Sequence, residues 1–366
     1  MTQITLAIHT FRYALRLKSL LESEGIAAAL QNVNLSEPGV NAGVRVRIDE
    51  RDLPKALRII ENPDIFNPEA SSDKAKHNKL IIAPVDFSNA GENALTTAFS
   101  LAERHGARVL LLHAYLSQSF SEPVDALSDD LDFGETPEAA EAAAEVTADI
   151  DALMRRYAAH VREQIKSGSI PAAPFDTLTV DGLPEEVINE VAKERNPMLI
   201  VMGTHGAGNH ERAAMGSVTA EVLDTCRYPV LTVPVGNREV NFKRVLFFTT
   251  PDQQDIVALD TFLSLSGAEG HDVTLLAIPS RGRTSGSSLE AMTQYCLSHY
   301  PGNTFASEVP PETSLTPFLE TVAGQTAVDI IGVPNKRKNS IVRFFNPTIA
   351  HRLLYLADHP MLVIPV

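Results

Sequence analysis

Hydrophobic residues along the chain follow two alternating patterns, which predict buried strands and amphipathic helices in turn. Unbroken apolar runs such as "KLIIAPVD" at 79–86 and "MLIVMG" at 198–203 predict strands that are buried on both faces. Apolar residues at helical spacing follow the first of these runs, in "NAGENALTTAFSLAERHG" at 89–106. Continuous apolar strands that alternate with helices predict an α/β fold, with a parallel sheet covered by helices on both faces.

The first 63 residues follow a shorter pattern, which predicts a separate small unit. Strands are predicted at 3–8, 26–32 and 44–49, with one helix after the first strand and another after the third. The following segment "PDIFNPEASSDKAKHN" is rich in Pro, Ser, Asp and Lys, which is typical of a linker. We therefore expect a small α+β domain of βαββα order at 1–63 and a new unit from residue 78.

The chain repeats its own pattern after residue 242. The stretch "DIVALDTFLSLSGAEGHDVTLLAIP" at 255–279 resembles "GENALTTAFSLAERHGARVLLLHAY" at 91–115, and "ADHPMLVIPV" at 357–366 resembles "CRYPVLTVPV" at 226–235. We therefore predict two tandem, open parallel-sheet domains of Rossmann-like type. They are called the first α/β unit (78–236) and the second α/β unit (242–366) below.

Composition and charge narrow the range of partners. The formal net charge is −15 and the sequence pI is about 5.2, so DNA, RNA and anionic membranes are poor partners. No apolar run reaches the roughly 18 residues that span a bilayer, and the N-terminus does not resemble a signal peptide. The two cysteines, Cys226 and Cys296, do not suggest a disulfide framework. We expect a cytoplasmic protein that binds neither nucleic acid nor membranes.

The stretch "GTHGAGNHERAAMGS" at 203–217, between a predicted strand and a predicted helix, is the main candidate for a binding site. Glycines allow close approach of the backbone, and the first N–H groups of a helix attract anions. Ligands of open α/β sheets bind at the carboxyl ends of the strands, where this loop would lie. The spacing fits neither GxGxxG nor GxxxxGK[ST]. Phosphate binding and an ordinary loop with Ser217 as helix N-cap both remain open.

The pattern G-x2-G-x9-G-[S/T] after an "IVMG" strand resembles the ATP-binding signature of the universal stress proteins. The stretches "APVDFS" at 83–88, "LLLHAY" at 110–115 and "CRYPVLTVP" at 226–234 are also similar to that family. The resemblance covers 79–235 well and 243–366 weakly, and it implies a fold of the adenine-nucleotide alpha hydrolase type. The N-terminal unit is faintly similar to a small bacterial domain described as signal-transducing.

The resemblance implies one ATP site, on the first α/β unit. Around the triphosphate and ribose it implies Gly203, Gly206, Gly216, Ser217 and Val218. Around the adenine it implies Pro84, Val85, Asp86 and Met202. Arg212 is the only cation between Gly206 and Gly216, which leaves phosphate charge to backbone donors and a metal such as Mg²⁺. For Asp86 a helix N-cap is the alternative, and for His113 we expect packing or a local hydrogen bond.

The second α/β unit departs from this signature. Counted back from the matching last strands, Pro334, Arg337 and Pro347 occupy the positions of the three signature glycines. Proline lacks an N–H and has a fixed φ, and arginine adds bulk where the backbone must come close. We therefore interpret this copy as degenerate and expect one ATP per chain.

These patterns predict an ATP-binding stress or signalling protein. A nucleotide-free interaction module is the alternative, and slow ATP hydrolysis or autophosphorylation also remains open, although neither GxSxG nor an HIGH-like motif occurs. The last strands "PVLTVPV" at 229–235 and "PMLVIPV" at 360–366 are expected to pair with each other in antiparallel fashion. A further homodimer and an unknown protein partner remain possible.

Overall fold

The computed structural model describes most of the predicted strands and helices. The described residues are 3–9, 11–32, 44–53, 55–56, 79–88, 91–117, 137–204, 216–236, 240–251, 253–267, 270–277, 286–309, 328–335 and 359–366. The chain divides into two compact units, one of Lys79–Tyr228 with Thr232–Glu239 and the other of Met1–Asn78, Pro229–Leu231 and Val240–Val366. Most of the helix predicted after the third strand lies outside the described residues, as do Gly206, Arg337 and Pro347.

The N-terminal residues form a three-stranded antiparallel sheet with one helix. The elements are β1 (Gln3–His9), α1 (Phe11–Ser23), β2 (Ala28–Asn32) and β3 (Val44–Asp49), and a short 3-10 turn follows at Glu50–Asp52. The strand order is β1-β3-β2. Alternate residues of β3 are buried in one hydrophobic cluster with Ala14, Leu17 and Leu21 of α1. The alternating sequence of β3 therefore buries one face of the sheet against the helix.

The first α/β unit contains five strands and four helices within the described residues. They are β4 (Leu80–Pro84), α2 (Glu92–His105), β5 (Arg108–Tyr115), α3 (Pro137–Lys166), β6 (Phe175–Asp181), α4 (Pro184–Arg195), β7 (Leu199–Gly203), α5 (Ser217–Thr225) and β8 (Val230–Val233). The strand order is β8-β7-β4-β5-β6, and β4 pairs in parallel with both β5 and β7. The chain runs outward from β4 in one direction and then returns to the other side of it. The carboxyl ends of β4 and β7 therefore flank the point where the strand order reverses.

The second α/β unit repeats this architecture. Its described elements are β9 (Arg244–Thr249), α6 (Gln253–Ser266), β10 (Asp272–Ala277), α7 (Gly286–His299), β11 (Thr304–Glu308), β12 (Ile330–Asn335) and β13 (Met361–Pro365). The strand order is β11-β10-β9-β12-β13, and each neighbouring pair is parallel.

Equivalent strands of the two units have the same register. Leu80 pairs with Arg108 in the first unit, as Arg244 pairs with Asp272 in the second. The backbone bonds agree as well, since the N–H of Met198 donates to Leu80 O over 2.9 Å and that of Asp329 donates to Arg244 O over 2.9 Å. These registers fix which strand residues are equivalent, for example Val85 with Thr249, His113 with Ala277 and Gly203 with Pro334.

Both cysteines are buried, and neither forms a disulfide. Burial raises the pKa of the Cys296 thiol to about 12, which makes this thiol unreactive at neutral pH. Among the described helices, none combines the length and the apolar composition that crossing a membrane requires.

Candidate functional site

A cleft opens at the carboxyl ends of β4, β5 and β7 in the first α/β unit. Its volume is ≈ 350 Å³, within the range of about 300–1,000 Å³ that is typical of small-molecule sites. Eight of the nine predicted site residues line it: Pro84, Val85, Asp86, Met202, Gly203, Gly216, Ser217 and Val218. The ninth, Gly206, lies outside the described residues. Three separate stretches of sequence are therefore brought together where open α/β sheets bind ligands.

The end of β7 and the start of α5 form one wall of the cleft. The N–H of Gly216 donates to the carbonyl of Thr204 over 2.8 Å, and the hydroxyl of Thr219 donates to the carbonyl of Gly203 over 2.9 Å. These bonds hold the strand end against the first turn of the helix. The N–H groups of Ser217, Val218 and Thr219 open this helix, and the first N–H groups of a helix are placed to bind an anion.

The helix N-cap at this wall is Gly216, and Ser217 is the first residue inside the helix. The alternative that Ser217 is the N-cap is therefore wrong. Gly216 has φ −58° and ψ 139°, a conformation that any residue can adopt. The backbone conformation therefore does not require glycine here, and the position at the cleft wall remains as a reason for a small residue.

The end of β4 forms the opposite wall. The N–H of Val85 donates to the carbonyl of Leu112 over 2.8 Å, which extends the pairing with β5 up to the cleft. The carboxylate of Asp86 accepts hydrogen bonds from the N–H of Ser88 at 3.1 Å and from its hydroxyl at 2.6 Å. Asp86 thus closes a local turn, whereas helix α2 begins at Glu92 with Gly91 as its N-cap. The alternative that Asp86 caps this helix is wrong.

Sequence reasoning missed seven of the lining residues. They are Gly91, Leu112, His113, Ala114, Pro184, Ile188 and Thr219. Three of them are at the carboxyl end of β5, which pairs with β4, and the sequence analysis did not predict this strand order. Pro184 and Ile188 are one helical turn apart on α4, and no local signal marks that this face meets the cleft. The expected local hydrogen bond of His113 is present, since its Nδ1 lies 2.7 Å from the carbonyl oxygen of Val85.

The charge around the cleft is sparse. Among the described lining residues, Asp86 is the only carboxylate and none is lysine or arginine. An anion at the α5 wall would therefore be held by backbone N–H groups and by the positive end of the helix dipole.

At the equivalent strand end of the second unit, a side chain from the next helix returns to the strand. The connection from β9 to α6 spans residues 250–252, much shorter than the one from β4 to α2, and Asp255 in the first turn of α6 reaches back to the strand. The Asp255 carboxylate accepts from the hydroxyl of Thr249 at 2.8 Å and from the N–H of Thr250 at 2.6 Å. Asp255 is only 1% exposed. A buried carboxylate thus lies against the two residues that are equivalent to Val85 and Asp86.

Comparisons with known proteins match the first α/β unit. The sequence model of the universal stress protein family matches residues 77–234. A universal stress protein of Thermus aquaticus is 31% identical over 156 residues, which are 42% of this chain and 98% of the relative. A universal stress protein of Methanocaldococcus jannaschii is 28% identical over 157 residues, which are 42% of this chain and 94% of that protein.

A solved structure shows the same fold over a longer part of the chain. The crystal structure of a universal stress protein from Archaeoglobus fulgidus is similar with a TM-score of 0.56 and 14% sequence identity. The likeness covers 79% of this chain and 99% of that one. Because nearly the whole Thermus aquaticus protein aligns with residues that build the cleft and its sheet, this chain belongs to the universal stress protein family.

Proposed function

We propose that the protein binds ATP in the cleft of the first α/β unit, one nucleotide per chain, and acts in a stress response or in signalling. The observation that carries the proposal is the convergence on one cleft of residues that the ATP-binding signature selects from separate segments. The glycine-flanked start of α5 would hold the phosphates. The apolar side chains of Val85, Ile188 and Met202 would enclose the base.

The electrostatics of the cleft agree with a nucleotide that carries its own cation. Because the described lining residues include no lysine or arginine, the triphosphate would rely on the N–H groups of Ser217 and Val218 and on Mg²⁺. Such an ion is usually held by phosphate oxygens and water with one or two carboxylates, and here it would neutralise phosphate charge. Asp86, which also accepts hydrogen bonds from Ser88, would be the carboxylate in that role.

The second α/β unit would be a degenerate copy that does not bind ATP. The buried side chain of Asp255 occupies the strand end, where the N–H of Thr250 donates to it and is therefore engaged. Pro334, in the position of Gly203, has no N–H to offer. The tandem arrangement itself is supported by the matching strand registers and by the repeated sequence.

The remaining partners are proposed from the sequence. The strand segments 229–235 and 360–366 would pair within the chain, which would leave the protein able to exist as a monomer. A homodimer, an unknown protein partner and a signal-transducing role of residues 1–63 would add to this arrangement. Analytical ultracentrifugation over a range of concentrations tests the first point, because a self-sufficient chain gives one monomeric species.

Calorimetric titration of the full chain with Mg²⁺–ATP tests the function. We expect saturable binding with a stoichiometry near one. In Gly216→Val, the added side chain would stand at the phosphate wall and abolish binding, while circular dichroism and thermal unfolding stay unchanged because the backbone conformation suits valine. Unchanged ATP affinity in this folded variant would contradict the proposed site. Absence of binding by the natural chain would favour a nucleotide-free module, and release of phosphate during the titration would indicate a slow hydrolase.

A further inference from the structure

One non-glycine residue beside the cleft has a left-handed backbone conformation. Phe87 has φ 59°, and it directly follows Asp86 of the cleft wall. Such a conformation strains a residue with a bulky side chain and persists only where the surroundings hold it. In the second unit the residue at the same distance from the strand end, in a shorter connection, is Pro251. Proline fixes φ near −65°.

Two aromatic contacts and one hydrogen bond hold this segment from the side of the sheet that faces α3. The ring of Phe87 lies 4.3 Å from that of His113 and 5.3 Å from that of Tyr157, measured between centroids. The Nδ1 of His113 lies 2.7 Å from the carbonyl oxygen of Val85. Because a carbonyl only accepts, Nδ1 must carry the hydrogen. Val85 is therefore held through its carbonyl and Phe87 through its ring, one on each side of Asp86. These contacts are called the fastening below.

Tyr157 supports this arrangement as a neutral ring. Burial, together with the nearby carboxylates of Glu92 and Asp86, raises the pKa of its hydroxyl to about 12. The side chain therefore stays uncharged at physiological pH, and its edge remains available for packing against Phe87.

The second α/β unit shows that the same sheet forms without these residues. Thr249 and Ala277 occupy the positions of Val85 and His113, and the shorter connection after β9 has Pro251 two residues beyond Thr249. In that unit the carboxylate of Asp255 lies against the strand end instead. The contacts of His113 and Phe87 thus occur beside the cleft of the first unit and have no counterpart at Thr249 and Ala277, which links them to the cleft rather than to the fold.

We propose that His113, Phe87 and Tyr157 are positioning residues that hold the Val85–Asp86 backbone in the shape that the cleft presents to its ligand. Phe87 and Tyr157 act through the backbone of the cleft wall, and His113, which also lines the cleft, acts through its hydrogen bond to Val85. The identity of the ligand rests on the proposed function, whereas the fastening itself is a property of the protein without ligand.

The test combines amide hydrogen exchange of the protein without nucleotide and calorimetric titration with Mg²⁺–ATP. Three variants are compared with the natural chain: His113→Leu, which removes the donor; His113→Asn, whose amide can donate to Val85; and Phe87→Gly, which removes the ring and the strain. In His113→Leu and Phe87→Gly we expect exchange at residues 86–88 to be about tenfold faster, as loss of one hydrogen bond or ring contact implies. ATP affinity should fall by about tenfold for the same reason. His113→Asn should recover most of both.

Nitrogen chemical shifts of the His113 ring give a direct check, because the proposal requires hydrogen on Nδ1. A neutral ring with hydrogen on Nε2 alone would overturn it. Exchange and ATP affinity in His113→Leu equal to those of the natural chain would also overturn it. If the natural chain does not bind ATP, the proposed function fails while the exchange measurements still decide the fastening. If His113→Leu does not fold, the exchange and affinity of Phe87→Gly decide the proposal in the same way.

Discussion

The two α/β units place equivalent strands in the same register and fill the space between them differently. In the first unit Ala83 of β4 is equivalent to Phe247 of β9, and Val201 of β7 is equivalent to Gly332 of β12. Gly332 pairs directly with Phe247, and a Cβ added to Gly332 would lie 2.5 Å from Cδ2 of that ring. One unit thus packs a small residue beside a medium one, and the other packs a phenylalanine beside a glycine. The two pairs therefore divide side-chain volume differently between neighbouring strands, while the backbone pairing of the strands is the same.

The units differ more at the carboxyl ends of the strands than in their cores. In the first unit a long connection and the residues Gly203 and Gly216 leave a cleft open. In the second unit a short connection brings Asp255 back onto the strand end, and Pro334 replaces the glycine. The comparison teaches that backbone pairing maintains the fold, whereas the segments after the strands decide whether a ligand has room.

The largest effect is expected when Gly332 of the second unit is replaced by valine, which is the residue at the equivalent position of the first unit. Gly332→Val should lower the free energy of unfolding by about 3 kcal/mol or more, because Phe247 is fully buried and cannot move away from the new side chain. Denaturant unfolding measures the loss. The double variant Gly332→Val with Phe247→Ala recreates the pair of the first unit and should regain part of the stability. A single variant as stable as the natural chain would show that Phe247 is not packed tightly against Gly332.

The next effect concerns charge at the open strand end. Gly91 lines the cleft in a helical conformation, and an added Cβ would meet Asp86 Oδ1 at 3.7 Å, so a larger side chain fits. Gly91→Asp should weaken ATP binding by about 100-fold, because a second carboxylate would face the phosphates at the low effective dielectric of a cleft. Gly91→Asn, of the same size and uncharged, is the matched control and should lose about tenfold or less. Equal losses in both variants would indicate that size rather than charge closes the cleft.

Removing the Asp255 carboxylate from the second unit should have a smaller effect on stability. It should not change the number of ATP molecules bound per chain. Asp255→Ala leaves the buried hydroxyl of Thr249 and the N–H of Thr250 without this acceptor, at a cost of about 2 kcal/mol. Calorimetric titration should still give about one ATP per chain, because Pro334 remains. A stoichiometry near two in the variant would show that Asp255 alone prevents binding.

The smallest expected effect concerns the amino-terminal ends of β9 and β12, compared with those of β4 and β7. In the second unit the guanidinium of Arg244 lies 2.6 Å from the carboxylate of Asp329 and lowers the pKa of that carboxyl below its usual 3.8, while the first unit has Leu80 and Met198 at these positions. Because the folded-state pKa is lowered, the pair stabilises the fold fully above pH 3.8, and this contribution is lost as the pH falls below that value. Acid unfolding followed by amide exchange in β9 and β12 should become less steep in Asp329→Asn. Exchange in β4 and β7 serves as the internal control and should not change.

Much of the sheet could be predicted from the sequence. Unbroken apolar runs such as those of β4 and β7 are buried strands because parallel strands covered by helices expose neither face to water. The repeated pattern also indicated which strands of the two units are equivalent, and the glycine-rich stretch marked one wall of the cleft. These features are determined locally, by periodicity and by the few conformations that glycine and proline favour.

Only the tertiary structure determined the backbone conformation and the contacts at the carboxyl ends of the strands. The sequence alone indicated neither the left-handed Phe87 with its contacts to His113 and Tyr157 nor the return of Asp255 to Thr249. It also did not indicate that Gly332 makes room for Phe247. Each of these features depends on groups that are distant in the chain or joined by a connection of irregular length, so the distances among them are set by the packing of helices on the sheet. Hydrophobic periodicity fixes which face of an element is buried, but only the assembled sheet fixes which side chain meets which across it.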